Sequence, residues 1–206
     1  MIFFTSDLHI GHKNILTYCN RPFETLEAMH DYIIKQWNSQ VSKDDTVYVL
    51  GDFSLNPKWS GIIIPQLNGT KILISGNHDA TYPHHWNKKY DKMLARYKVD
   101  GWSEIHTEIT VNIGNKGYLV LLSHFPYNDE RFPQQAPTDN NLFLLHGHLH
   151  RRYIKNNNMV DVGFDAGLVL HSEDDIVKLI DDERQYIPSS LTDFFIQRDK
   201  EREDES

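Results

Sequence analysis

Side chains able to hold a metal or move a proton fall in five clusters along this 206-residue chain: Asp7 with His9; Asp52; Asn77, His78 and Asp79; His124; and His148 with His150. Carboxylates, one amide oxygen and imidazoles, with no thiolate among them, form a hard-to-borderline donor set that suits Mn, Fe, Zn, Co or Ni. Asp7 and His9 are two residues apart, so an extended backbone sends both side chains to one side, where a single ion can bind both. Two divalent ions would bring +4 against −2 from Asp7 and Asp52, and a bridging hydroxide would leave the site at about +1 by formal count. A centre of that charge attracts a phosphate ester and suits in-line hydrolysis by the bridging hydroxide, without a protein nucleophile.

The clusters share one setting. The apolar run Ile2–Thr5 halts at Ser6-Asp7-Leu8-His9, Thr46–Leu50 at Gly51-Asp52, and Lys71–Ser75 at Gly76-Asn77-His78-Asp79. Tyr118–Leu122 halts at Ser123-His124, and Leu142–Leu145 at His146-Gly147-His148-Leu149-His150. Short apolar runs that stop at glycine and polar residues read as buried strands with turns after them, and open α/β sheets carry their sites at the carboxyl ends of strands. Between these runs, Leu26, Met29, Ile33, Trp37 and Val41 recur at helical spacing. Asn56-Pro57 reads as an N-cap followed by proline, opening a helix toward Gln66. Further helices are expected over Lys88–Tyr97 and Asp174–Gln185, and a further strand over Met159–Val162. The alternation of Ile105, Thr107, Ile109, Val111 and Ile113 predicts one half-buried strand, turned by Gly114–Gly117 into Tyr118–Leu122.

Composition bounds the rest. Residues 1–188 read as one domain and 189–206 as a charged, solvated or disordered tail; the long polar loop Tyr127–Asn141 implies function or mobility. No apolar run is long enough to cross a bilayer, and the first residues turn polar too early for a signal peptide, so a cytoplasmic location is expected. Cys19 is the single cysteine, which excludes an intramolecular disulfide and a cysteine-based zinc site. The net charge of −8 does not favour a nucleic-acid partner, although a bound metal can still attract phosphate locally. Among twelve histidines, His30, His84, His85, His106 and His171 read as surface or strand-face residues, while His12 and His146 either line the pocket or bond neighbouring loops. Arg151 and Arg152 read as a solvated pair.

Taken together, Asp7-x-His9, Gly51-Asp52, Gly76-Asn77-His78-Asp79, Ser123-His124 and Gly147-His148-x-His150 resemble the calcineurin-like metallophosphoesterases, and SDLHIGHKNI with Cys19-Asn20-Arg21-Pro22-Phe23 resembles the small bacterial and phage members. The resemblance implies an α/β fold, a four-layer αββα sandwich with two mixed sheets and a dinuclear site at their edge. Carried over, it places Asp7, His9, Asp52 and His150 on a first metal, and Asp52, Asn77, His124 and His148 on a second, with Asp52 bridging and Mn ahead of Fe, Zn, Ni or Co. It leaves His78 off the metals as the general acid, with Asp79 orienting its imidazole. Arg21 becomes the candidate phosphate clamp, and His12 a candidate substrate contact. The implied activity is hydrolysis of a small-molecule or nucleotide-type phosphate mono- or diester. A nuclease or end-processing diesterase is the alternative; a catalytically silent metal-binding module is disfavoured by the intact donor set. The Asp-Arg-Gly segment that protein phosphatases of the superfamily carry after Gly-Asp is absent, since the chain reads Gly51-Asp52-Phe53-Ser54-Leu55-Asn56-Pro57.

Overall fold

The computed structural model describes residues 1–83, 89–127, 142–150, 155–156 and 158–182. The expected tail over 189–206, most of the loop 127–141, His84, His85, Arg151 and Arg152 lie outside the described residues. Among the described residues ten strands form two sheets: β1 Ile2–Thr5, β2 Thr46–Val49, β3 Thr70–Ile74, β4 Trp102–His106 and β10 His171–Ser172 in the first, β5 Glu108–Ile113, β6 Tyr118–Ser123, β7 Leu142–His146, β8 Lys155–Asn156 and β9 Met159–Asp161 in the second. The first runs β10-β1-β2-β3-β4, parallel apart from β10; the second runs β5-β6-β7-β9-β8, with β6, β7 and β9 parallel and β5 and β8 antiparallel. Both sheets are therefore mixed, as the family resemblance implies.

Two apolar cores follow from the period-two alternation of the first sheet. Phe3, Val47, Val49 and Leu73 join one core with Met29, Ile33 and Trp37 of α2 (Leu26–Gln40), Ile63 of α3 (Pro57–Ile63) and Tyr97 of α4 (Tyr90–Asp100). Phe4 and Ile74 join the other, with Val120, Leu122, Leu145 and Val160 of the second sheet and Ile176 of the closing helix Glu173–Asp181. A short helix, α1, covers Ile15–Tyr18, which makes the closing helix α5.

Local signals place these helices. Thr25 caps α2 by accepting from Ala28 N at 3.1 Å, and Asn56 Oδ1 accepts from Lys58 N at 2.9 Å ahead of Pro57. Pro65 falls in a 3₁₀ turn, Ile64–Gln66, that ends the α3 segment. Ser172 and Asp175 form a capping box that starts α5.

The expected single strand over 105–113 is two strands. The chain leaves β4, parallel to β3, at Thr107 and enters β5, antiparallel to β6 in the other sheet. Alternation records which face a side chain takes and carries no information about the strand that supplies the hydrogen bonds, so the change of sheet is invisible in the pattern.

His30 is buried on a helix, against expectation, and His171, on a strand as expected, is buried too. His30 faces inward from α2, where its Nε2 accepts from Gly11 N at 2.9 Å and its ring meets Trp59. His171 sits on β10 opposite Phe4, and its Nε2 has no hydrogen-bond partner.

Burial pushes the His171 pKa down to about 4, against partial opposition from Asp175. The unfolded chain takes up this proton near pH 6.5, so stability present above that pH is lost as the pH falls toward 4. Replacing His171 with leucine removes this term. Denaturant titrations of metal-free protein at pH 7 and pH 5 are expected to show the variant losing about 2 kcal/mol less on acidification than the wild type, from ~1.4 kcal/mol per pH unit over ~1.5 units. Equal losses would show that His171 does not titrate in this window.

Candidate metal centre

The parallel strands β1, β2 and β3 of one sheet, and β6 and β7 of the other, all end at one edge of the two facing sheets, and their following turns carry the candidate ligands. The turns after β1 and β2 are joined beyond the strands by Asp7 N to Gly51 O at 3.0 Å, His9 N to Asp52 O at 2.9 Å and Ile10 N to Phe53 O at 2.8 Å. The second sheet is tied on through Leu50 O, which accepts from Ser6 Oγ at 2.6 Å and from His124 Nδ1 at 2.7 Å. That last bond turns His124 Nε2 toward the centre.

Donor atoms converge in two groups. His9 Nε2 lies 3.8 Å from Asp7 Oδ1 and 3.7 Å from Asp52 Oδ2, and His150 Nε2 lies 3.7 Å from Asp7 Oδ1. His124 Nε2 lies 3.5 Å from Asp52 Oδ2, 3.2 Å from Asn77 Oδ1 and 3.2 Å from His148 Nδ1. Metal–ligand bonds of about 2.0–2.2 Å put neighbouring donors of one ion about 3–3.5 Å apart, so the second group is already near shell spacing and the first is slightly open. Asp52 Oδ2 belongs to both groups.

Each ligand carboxylate has its other oxygen pinned by a backbone amide: Asp7 Oδ2 accepts from His148 N at 2.8 Å, and Asp52 Oδ1 from His78 N at 2.9 Å. Two glycines permit the approach. A Cβ at Gly147 would stand 2.0 Å from Ser6 Oγ and 2.2 Å from Asp7 Oδ2, and one at Gly76 would stand 2.3 Å from Asp52 Oδ1. Gly76 is thus required by close contact.

Buried Asp7 Oδ1, His9 Nδ1 and His9 Nε2 have no hydrogen-bond partner. Buried polar atoms without partners are costly, and here they face other donors of the kind that bind divalent ions. The three-residue sets Asp7, His9, His150 and Asp7, Asp52, His124 each gather their ligand atoms within 4.8 Å. The residues present therefore fit a pair of ions.

The charges are mutually held. Burial raises the Asp7 carboxyl against the pull of His124 and His150. At Asp52 burial acts the same way, but His124 and His9 outweigh it and hold the carboxyl low. Burial alone would lower His124, yet Asp52 and Asp7 lift it to about 9. His9, with burial dominant, is held well below the usual imidazole range.

Three residues take places that differ from expectation or were not foreseen. Asp79 does not stand behind the His78 ring. Its fully buried carboxylate accepts from Asp52 N at 2.8 Å, Gly76 N at 2.9 Å, Phe53 N at 3.1 Å and Ser54 N at 3.5 Å, bracketing the Asp52 turn to the Gly76 turn. Burial and the Asp52 charge push its pKa up to about 7.

Arg21 is only 5% exposed, and its guanidinium is spent on the protein: Nε and Nη2 on Asp165 at 2.7 and 2.8 Å, Nη2 on Asp7 O at 2.6 Å, and Nη1 on Leu8 O at 2.9 Å and Met29 Sδ at 3.3 Å. No N–H is left to clamp a phosphate. Asp165, which the sequence reading missed, also accepts from His150 Nδ1 at 2.7 Å. Cys19, His150 and Asp165 form a third compact group, but Arg21 already neutralises Asp165 and the His150 Nδ1 hydrogen bond uses the face an ion would need. His78 and His12 sit at the mouth: the His78 side chain is 47% exposed with Nε2 3.9 Å from Asp52 Oδ2, and both rings lie 5.6 Å from that of His9. His146 is buried, its Nδ1 on Gly147 O at 2.9 Å.

This combination of two mixed sheets with acidic and histidine-bearing strand ends at one edge defines a metal-dependent phosphoesterase. The sequence matches the calcineurin-like phosphoesterase family over residues 1–185, and the chain belongs to that family. It is 36% identical to the Gene 66 protein of Mycobacterium phage L5, over 86% of this chain and 92% of that protein. It is 44% identical to an uncharacterised protein of Methanocaldococcus jannaschii, over 74% of this chain and 71% of the other. A crystal structure of a protein of unknown function from Aquifex aeolicus shares the fold, with a TM-score of 0.61 at 24% identity, covering 87% of this chain and 98% of that one.

The position of Asp79 generates a test. In Asp79→Asn one oxygen becomes an NH2 group, which must face buried backbone N–H donors, so stability is expected to fall by about 1–3 kcal/mol, with weaker metal uptake. If Asp79 acted instead through His78, the variant would keep its stability and shift the pH profile of turnover. Thermal melts beside pH–rate profiles separate the two.

Proposed function

We propose that this protein is a dinuclear phosphoesterase that hydrolyses a small-molecule or nucleotide-type phosphate mono- or diester. The observation that carries the reading is the position of Asp52 Oδ2, within 3.5–3.9 Å of His124, His9 and His78 at once. One carboxylate oxygen thereby joins both donor groups and lies beside the candidate acid. Asp7, His9, Asp52 and His150 would hold one ion, and Asp52, Asn77, His124 and His148 the other. When bound, the ions supply Lewis acidity to phosphoryl oxygens and lower the pKa of a coordinated water.

The chain's own residues do the rest. Asn77 contributes a neutral oxygen, so the centre keeps a net attraction for phosphate. His78, half exposed at the mouth and held through its own amide on Asp52 Oδ1, is placed to give its proton to the leaving oxygen. His12 forms a wall of the same mouth with Tyr18, ring centroids 6.0 Å apart, and is our candidate for contact with the substrate. Manganese is the first ion we assign, on the oxygen and nitrogen donor set. A cytoplasmic site of action rests on a chain with one cysteine; no described helix is long and apolar enough to cross a membrane.

Metal-free protein supplied with Mn²⁺ is expected to turn over p-nitrophenyl phosphate, bis(p-nitrophenyl) phosphate or a cyclic nucleotide, and Asp52→Asn to lose both that turnover and an ion. Cleavage of single-stranded oligonucleotides in preference to all of these would favour a nuclease, and no turnover with two ions bound would overturn the enzymatic reading.

His78→Gln tests the acid. Its kcat is expected to fall about 10²–10⁴-fold on an alkyl ester and far less on a p-nitrophenyl ester, whose leaving group needs no proton, with metal content unchanged. Equal losses on both esters would remove His78 from that role.

A further inference from the structure

We propose that Arg21 and Asp165 act as one positioning unit that builds the first metal site and leaves the second untouched. The inference rests on the two-ion reading above and adds an asymmetry between the ions. Arg21 grips Asp165 through two parallel bonds, Nε to Oδ1 at 2.7 Å and Nη2 to Oδ2 at 2.8 Å. Asp165 Oδ2 then accepts from His150 Nδ1 at 2.7 Å, so the imidazole turns its Nε2 toward Asp7 Oδ1 at 3.7 Å. A carboxylate behind a ligating histidine fixes both its tautomer and its ring orientation. Here the carboxylate is itself fixed, because a guanidinium occupies both oxygens.

The same guanidinium reaches the opposite wall of that site. Nη2 donates to Asp7 O at 2.6 Å and Nη1 to Leu8 O at 2.9 Å. These carbonyls belong to the turn that carries Asp7 and His9, whose backbones are held left-handed at φ +57° and +51°. Asp7, His9 and His150 thus depend on one buried cation that joins residues distant in sequence. The second-site donors His124 and Asp52 are held otherwise, His124 by Leu50 O, and Asp52 by its own amide on the Asp79 carboxylate and by the His78 amide on its Oδ1, while the His148 amide donates to Asp7 Oδ2. Phe164, immediately before Asp165, stacks under the guanidinium at 5.1 Å and fixes its plane.

The alternatives for Arg21 are a substrate clamp and a purely structural ion pair. All five of its N–H groups already have protein acceptors, which disfavours the clamp. A structural pair would lower stability without distinguishing the ions.

The test uses Asp165→Asn, Arg21→Lys and the double variant of the full chain, each stripped of metal and titrated calorimetrically with Mn²⁺. In Asp165→Asn the side chain can offer NH2 to His150 Nδ1, which favours the tautomer with hydrogen on Nε2, where it cannot ligate. Lysine keeps the charge of Arg21 but cannot form the paired bonds. The expected result is two sites in the wild type. In each single variant one of them should be weakened about 10–100-fold, with the other within twofold. The double variant should be little worse than either single one, because both residues act through one linkage. Melting of the metal-free proteins shows that the variants fold.

Unchanged affinity at both sites would overturn the proposal, as would equal weakening of both. If the wild type takes up no more than one ion, the dinuclear reading fails and this inference falls with it. If it takes up two and the variants do the same with wild-type affinity, the inference alone fails. A rise in KM for p-nitrophenyl phosphate at saturating Mn²⁺, with both affinities intact, would restore Arg21 as a substrate contact and overturn the positioning role.

Discussion

Backbone held in the left-handed region at the candidate ligands is the constraint on which the centre depends. Asp7, His9, Asp52, His148 and His150 all have φ between +49° and +73°. Outside glycine, only Asn20 and Leu168 share that conformation among the described residues. Such residues cost on the order of 1–3 kcal/mol each and persist only where the surroundings over-determine them; five of them sum to roughly 5–15 kcal/mol, the scale of a domain's whole net stability. What they gain is direction. A left-handed residue at a strand end turns the chain back so that side chains from successive turns point into one volume, which extended or helical backbone at the same positions would not do.

The surroundings meet that demand with backbone hydrogen bonds at nearly every step. The turns after β1 and β2 hold each other amide to carbonyl. Asp79 accepts from the amides of Asp52, Phe53 and Ser54 on one side and of Gly76 on the other, so the Asp52 turn cannot move without breaking several bonds. Arg21 does the same for the Asp7 turn. The protein thus spends two buried charges, neither of them a ligand, on fixing the peptide units that bear ligands. Binding an ion then demands little reorganisation, which is the condition under which electrostatic stabilisation is most effective.

The sequence showed the ligands more clearly than their supports. Apolar runs that stop at Asp, Asn or His announce strand ends, and five of them in one chain could be read without a structure. Asp165 could not, because Gly163-Phe164-Asp165-Ala166 looks like any turn and its partners lie at residues 21 and 150. Asp161 escaped notice in the same way; it is buried, and burial pushes its carboxyl up to about 8. Arg21 is visible but its partner is not, since a guanidinium that binds a carboxylate and one that binds a phosphate are the same residue in a sequence. Asp79 was placed behind His78 because it is adjacent in the chain, whereas its carboxylate points to the neighbouring turn. The Asn56 N-cap and the α2 stripe are legible because their signals are local. The change of sheet at Thr107 and the burial of His30 and His171 depend on long-range packing that periodicity does not encode.

The division of donors between the two sheets follows from this construction. The first sheet supplies Asp7, His9, Asp52 and Asn77, and the second supplies His124, His148 and His150. The negative charge therefore comes from one side of the seam and mostly imidazole from the other. The pairing acts across the seam: Asp52 and Asp7 lift His124 to about 9, while at His150 the neighbouring Asp165 together with Asp7 across the seam overcomes burial and lifts it to about 11. The contact between sheets is consequently part apolar, through Phe4, Leu50, Leu122 and Leu145, and part ionic at the edge. Two ions would replace protons on the imidazoles as the positive charge at that edge. Metal held there would draw donors from both sheets, so its binding energy would also stabilise the packing of one sheet on the other. Metal site and fold are in this sense a single structure, with Leu50 at their junction: its side chain lies in the core between the sheets and its carbonyl oxygen holds Ser6 and His124.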